Sequence, residues 1–186
     1  MNLLQRRQRA LGPAYSLFYE EPAHLVRGEG AWLWDAAGKR YLDCYNNVAS
    51  VGHCHPRVVE ALASQAATLN THTRYLHENV VELSEMLAGH LPGELSVCMF
   101  VCTGTEANDL ATRIARTVTG NHAMLVSEFS YHGNSTLVHT LSTADCEHSP
   151  HRLEQFVAPC AYRTALAGGD LLSASYASVP AALDRL

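Results

Sequence analysis

The chain has a single lysine, Lys39, in 186 residues. Any chemistry that needs a lysine amine has one place in this sequence to draw it from. Charge is scarce altogether: 17% of residues are charged, and the net charge of −5 comes with no basic cluster. A nucleic-acid surface requires such a cluster, so no nucleic-acid partner is expected. No apolar run approaches the roughly 20 residues that span a bilayer, so no membrane partner is expected either. The start, M-N-L-L-Q-R-R-Q-R, is basic but lacks the apolar core of a secretory signal, and its basic run is short for a mitochondrial presequence. A cytoplasmic location is the expectation. The six cysteines, Cys44, Cys54, Cys98, Cys102, Cys146 and Cys160, contain no C-x-x-C. His53-Cys54-His55 with Cys44 upstream fits no standard zinc spacing. Reduced, packed thiols and no metal are therefore expected. Apolar residues are plentiful, at 47%, and the length suits one domain of ordinary size with its own core.

The most informative stretch is 95–116, L-S-V-C-M-F-V-C-T-G-T-E-A-N-D-L-A-T-R-I-A-R. Its apolar opening, 95–101, reads as a strand buried on both faces of a parallel sheet. Thr103 and Glu106 make a T-x-x-E capping box that starts a helix. Ala107, Leu110, Ala111, Ile114, Ala115 and Val118 form one apolar stripe on it, and Asp109 and Arg113 an i,i+4 pair on another face. Gly104 sits in the turn, where a missing Cβ lets a ligand approach the backbone. Strand end, glycine and helix N-terminus together make an anion site. The plainer alternative, an ordinary N-cap followed by a turn glycine, stays open on the turn alone.

The flanking sequence sets the context. Residues 1–14 read as a loosely ordered lead. Residues 31–43 read as a β-hairpin, with Trp32, Trp34, Tyr41 and Asp43 flanking a turn at 35–38 and Lys39 solvated at its end. Residues 44–56 form a polar loop, and Pro56 suits the first turn of a helix whose stripe is Val59, Leu62, Ala63, Ala66 and Leu69. A second helix is expected over 78–90, with Val80, Leu83 and Leu87 inward, ended by Pro92 and Gly93. Gly120-Asn121 stops the central helix, and 123–127 is the next strand, giving a βαβ unit and a parallel sheet. Tyr131-His132-Gly133 follows that strand, at the sheet edge where ligands bind in open α/β folds. Beyond Ser142 the pattern weakens until a helix begins near 178.

Y-L-D-C-Y-N-N-V-A-S-V-G-H-C-H-P at 41–56, T-G-T-E-A-N-D-L-A at 103–111 and Y-H-G at 131–133 occur in an order and spacing that resembles the N-terminal part of a class-III aminotransferase. The likeness covers residues 12–186. Within that family, 69–82 and 91–98 look most like the ammonia-releasing phospho-lyases of phosphoethanolamine or phosphohydroxylysine. The resemblance implies an α/β chain that is part of a fold type I, pyridoxal-phosphate (PLP) enzyme. Residues 1–50 would be a small-domain segment with the hairpin, and 51–186 the first part of the PLP-binding large domain. It implies that Gly104 and Thr105 hold the cofactor phosphate, with Thr103 framing the turn. Tyr131 would stack on the pyridine ring, His132 and Gly133 would shape the loop behind it, and Glu106 would lie near the ring's polar edge. Asn47 would approach the active site across a homodimer interface. Arg74 would contact a substrate phosphate or carboxylate; as a bare sequence feature it reads equally as a solvated loop charge.

This sequence departs from the family pattern in three ways. Asn134 stands where many relatives have arginine after Y-H-G, and Cys102 replaces a residue that is often polar. The third is the lysine. Class-III enzymes carry PLP as a Schiff base on a lysine, and an aspartate of a later D-E-x-x segment pairs with the ring nitrogen; both correspond to positions beyond 186. The expectation is a truncated or split enzyme that is catalytically inactive alone. Two activities fit the resemblance, amino transfer from a primary amine to a keto acid and phospho-lyase elimination. A non-catalytic remnant or binding module is the reading from another class.

Overall fold

The computed structural model describes residues 1–45, 49–144, 153–160, 162 and 171–186. They form two compact units, Met1–Glu78 and Asn79–Leu186.

The first unit begins with a helix rather than a loose lead. In α1 (Leu3–Leu11), Asn2 and Gln5 cap each other: the Gln5 amide donates to Asn2 Oδ1 at 2.9 Å, and the Asn2 amide to Gln5 Oε1 at 3.0 Å. That N-x-x-Q box satisfies donors that would otherwise keep so polar a segment open. The expected hairpin is present and is part of a three-stranded antiparallel sheet of β1 (Leu25–Glu29), β2 (Trp32–Asp35) and β3 (Arg40–Leu42), in that order. Asp35 organises the β2–β3 turn. Its Oδ1 accepts the amides of Ala37 and Lys39 at 2.9 Å each, and its Oδ2 accepts the Tyr41 hydroxyl at 2.8 Å. That hydroxyl, more than any other group, holds the Asp35 carboxyl below its ordinary pKa; the same bond raises the Tyr41 phenol. Exposed Lys39 lies 4.9 Å over the Tyr41 ring, and Arg27 and Arg40 lie 4.1 Å over Trp34 and Trp32.

The loop after the sheet is tied back to it. Gly30 and His53 exchange backbone hydrogen bonds, and His53 Nε2 lies 2.7 Å from Asp43 Oδ2. That partner takes the ring nitrogen of the residue considered for zinc. The α2 helix (Pro56–Thr68) then opens on its proline, whose missing N–H is no loss at a helix start. Its stripe is not inward: Val59 and Leu62 are 52% and 66% exposed.

The second unit contains α3 (which begins at the boundary, Glu78–Ala88), α4 (Gly104–Thr119), β4 (Met124–Ser127), α5 (Thr136–His139), β5 (Leu153–Phe156) and α6 (Leu171–Arg185). The sheet is parallel, as expected, but the pair is β4 with β5, in register from Met124↔Leu153 to Ser127↔Phe156. Segment 95–101 joins no ladder among the described residues, and Val97 is 87% exposed. A strand exists by pairing, and β-forming side chains without a neighbouring strand leave only an open stretch of backbone. Val80, Leu83 and Leu87 of α3 are likewise exposed rather than inward. Among the described residues the buried apolar side chains are Val126, Val138, Leu141 and Ala182, joined by Thr112 and Ser142. Thr112, Val126, Val138 and Leu141 line one cavity with residues of α4, β4 and β5, and Ala182 lies on α6, which rests on β5 with Arg185 Nε 2.6 Å from Glu154 Oε2. Among the described residues no helix is long and apolar enough to cross a membrane.

Candidate cofactor site

The N-terminus of α4 is built by two side chains. Thr103, in extended conformation, is the N-cap, and its Oγ1 accepts the Glu106 amide at 3.1 Å. Glu106 turns back so that its Oε2 accepts the Cys102 amide at 2.7 Å. The carboxylate expected near a ring edge is thus engaged in closing the turn, one residue further out than the reciprocal bond of a capping box. The amides of Gly104 and Thr105, the first two of the helix, meet no acceptor among the described residues. Free first-turn amides at the positive end of a 16-residue helix are an anion site in geometry and in sign. Gly104 adopts no positive φ, and a Cβ placed on it would meet nothing within 4 Å. Its use is open space over the backbone, not turn strain.

The second half of the site follows β4. Phe129 takes a left-handed φ of 57° as the chain leaves the strand. The hydroxyl of Thr143 accepts the Ser130 amide at 2.8 Å and donates to the Ser127 carbonyl at 3.0 Å. Tyr131 projects outward, 64% exposed. The His132 amide donates to Ser142 Oγ at 2.9 Å, and its carbonyl accepts from Asn108 Nδ2 at 2.7 Å. Its ring Nε2 is buried without a partner among the described residues. Gly133, at φ 132°, lies against α4 so closely that a Cβ there would sit 2.5 Å from Thr105 Oγ1. Thr105 Oγ1 also accepts the Asn134 amide at 3.2 Å, and the Ser135 hydroxyl donates to Asp109 Oδ1 at 2.6 Å.

These contacts bring Thr103, Gly104, Thr105 and Glu106 together with the turn that carries Tyr131, His132 and Gly133. They also revise the reading of α4. The covered residues of α4 are Thr105, Asp109, Leu110, Thr112 and Arg116, half-buried or buried; of the apolar stripe only Leu110 is among them, and Ile114 and Val118 are 44% and 79% exposed. Asp109 takes Ser135 as its partner rather than Arg113. Asn108, Asp109, Ser142 and Thr143 are the supporting residues that sequence reasoning passed over. The available signal was spacing: 105, 109, 112 and 116 recur at helical period in polar residues. Arg74 belongs to the first unit, where it is exposed and its amide donates to His72 Nδ1 at 3.2 Å. Asn47 lies outside the described residues.

Residues 18–168 match the description aminotransferase class-III. The chain is 42% identical over 168 residues to an alanine–glyoxylate aminotransferase 2-like protein of Drosophila melanogaster, covering 84% of this chain and 33% of the relative. It is 36% identical over 162 residues to ethanolamine-phosphate phospho-lyase homolog 1 of Caenorhabditis elegans, covering 85% and 34%. A solved phospholyase from Arthrobacter, in complex with phosphoethanolamine, superposes with a TM-score of 0.84 at 43% identity over all of this chain and 44% of that one. The chain therefore belongs to the class-III aminotransferase family, PLP-dependent enzymes of fold type I. It spans about a third of the length of the curated relatives it matches.

Proposed function

We propose that this chain forms the phosphate and ring-stacking part of the PLP site of a class-III aminotransferase, a transaminase moving an amino group from a primary amine or amino acid to a keto acid. The observation that carries the reading is the pair of unpartnered amides at Gly104 and Thr105, with open space over Gly104 and the Tyr131 turn held against the same helix end. Those two amides and the Thr105 hydroxyl donate to the phosphate oxygens, and Thr103 and Glu106 keep the turn closed around them. The Tyr131 ring presents a flat face for stacking, with His132 and Gly133 forming the backbone behind it. When bound, PLP supplies an electron sink for bond breaking at the substrate's amine-bearing carbon. Asn47 and Arg74 are assigned to the substrate side, in a homodimeric complete enzyme. Residues 1–50 belong to its small domain, and 51–186 begin its cofactor domain. A cytoplasmic location accords with the free thiols at Cys44, Cys54, Cys98 and Cys102.

The test uses inorganic phosphate and pyridoxine 5′-phosphate, which has no aldehyde to react with Lys39. Gly104→Val is expected to weaken pyridoxine 5′-phosphate binding most, Tyr131→Ala less, and Thr105→Ala least, by about 1.5–3 kcal/mol for a hydrogen bond to a charged group. The structure sharpens the first expectation: a Cβ at Gly104 meets nothing within 4 Å and its φ is not positive, so the effect is expected to fall on the ligand rather than on folding. Gly104→Val binding both probes as well as the parent does would remove the cup. A second reading is phospho-lyase activity on phosphoethanolamine-like amines, favoured by the likeness to the Arthrobacter phospholyase. In the full-length enzyme, phosphate release without a keto acid supports it; strict keto-acid dependence supports amino transfer.

A further inference from the structure

We infer that Asn108 is a positioning residue that sets where the cofactor ring stacks, acting through the carbonyl of His132. The inference rests on the cofactor reading above. Three side chains from the first turns of α4 reach 132–135, but they hold different things. Thr105 and Asp109 hold Asn134 and Ser135, beyond the glycine. Asn108 holds His132, the residue next to Tyr131. The other backbone group of His132, its amide, is fixed from the opposite side by Ser142, whose own hydroxyl donates to the Val138 carbonyl at 2.8 Å in the buried core. The peptide groups on both sides of His132 are therefore clamped between α4 and the core.

Tyr131 itself makes no ring–ring or cation contact among the described residues and is 64% exposed. The direction of its ring is thus set by the backbone it projects from, not by packing. Asn108 ties that backbone to the helix bearing the phosphate donors, four residues after Gly104. At 1.5 Å rise per residue, donors and tether share one rigid frame. The bond requires a neutral donor: an aspartate of the same size would set a carboxylate oxygen against the His132 carbonyl, two acceptors facing each other.

The experiment takes the whole 186-residue chain and two probes. Inorganic phosphate reads the helix end alone, and pyridoxine 5′-phosphate reads helix end and ring together. The Asn108 side chain is exposed, so Asn108→Asp and Asn108→Ala leave the fold in place. Both variants are expected to bind inorganic phosphate within about twofold of the parent. Both should lose about three- to tenfold in pyridoxine 5′-phosphate affinity, the range for one neutral hydrogen bond. The induced circular dichroism of the bound ring should fall in parallel, a signature that a change in stability alone does not produce. Unchanged affinity and dichroism in Asn108→Asp and Asn108→Ala overturn the inference. Equal weakening of both probes also overturns it, because Asn108 then supports the helix end and not the ring. A parent chain that gains no affinity from the ring removes the cofactor reading itself, and this inference with it.

Discussion

Gly133→Ala is the substitution that the geometry penalises most clearly. A Cβ at Gly133 would lie 2.5 Å from Thr105 Oγ1, 2.8 Å from Thr105 Cα and 2.9 Å from Thr105 Cβ. The hydroxyl can swing aside, but the Cα belongs to the α4 backbone and moves only with the helix. The φ of 132° adds its own cost, of order 1–3 kcal/mol for a residue with a side chain. Overpacking adds about 1–3 kcal/mol. Their sum, about 2–6 kcal/mol, is a large part of the 5–15 kcal/mol that holds a typical domain. Gly104→Ala is the control, since its Cβ meets nothing within 4 Å and its φ is not positive; a change within about 0.5 kcal/mol is expected. Thr105→Ala in the Gly133→Ala background removes the 2.5 Å contact and should recover part of the loss, a coupling read by double-mutant cycle. Urea denaturation followed by far-ultraviolet circular dichroism measures the parent, the Gly104→Ala control, Gly133→Ala, Thr105→Ala and the double variant. A Gly133→Ala chain as stable as the parent, or a Gly104→Ala chain equally damaged, refutes the argument that Gly133 is the steric pivot of the site.

The first-unit sheet should respond to pH at both extremes. The lowered Asp35 pKa gives stabilisation that is present above about pH 3.9 and lost as pH falls through the folded value; the raised Tyr41 pKa gives stabilisation present below about pH 10 and lost as pH rises through its folded value. Fluorescence of Trp32 and Trp34 should therefore be flat between these limits, and Tyr41→Phe should remove the alkaline flank and weaken the acid one, which the amides of Ala37 and Lys39 still support; a Tyr41→Phe profile matching the parent contradicts the assignment. The 186-residue chain supplied with PLP, an amine and a keto acid should show no amino transfer, because its one lysine sits in the β2–β3 turn over Tyr41; robust turnover in a coupled assay would sink this. The chain should also self-associate, since Val97, Val118 and Leu62 are 87%, 79% and 66% exposed and an apolar surface of this kind favours association. A monodisperse monomer by size-exclusion chromatography with light scattering would count against it.

What was legible in the sequence was local chemistry. Thr103, Glu106 and Gly120 signal the ends of α4 through capping and the left-handed C-cap, and the structure has the helix between them, with Gly120 at φ 71°. Asp35 to Gly38 signals the hairpin turn for the same reason. What was not legible depends on partners. The apolar run at 95–101 has the composition of a strand, but a ladder also needs a neighbour, which composition does not supply. The stripe of α4 showed which face is apolar, not which face is covered, and apart from Leu110 the covered residues are the polar ones that reach the Tyr131 turn through Thr105 and Asp109. The α1 helix was legible in principle, through the Asn2–Gln5 box that caps it. Gly133 was identified as shaping the loop, while its contact with Thr105, 28 positions earlier, is tertiary and leaves no local trace.

The Tyr131 turn and α5 both lie inside the crossover that links β4 to β5. No ladder bond of that sheet forms until residues 128–152 have been bridged, and non-local closure of this kind is slow compared with helix formation. During folding, the end of α4 and its two free amides can exist early, as a local structure. The ring-facing half arrives only with the crossover, docked through Thr105, Asn108 and Asp109. A chain caught part-way would therefore recognise a phosphate before it could recognise the molecule to which that phosphate is attached.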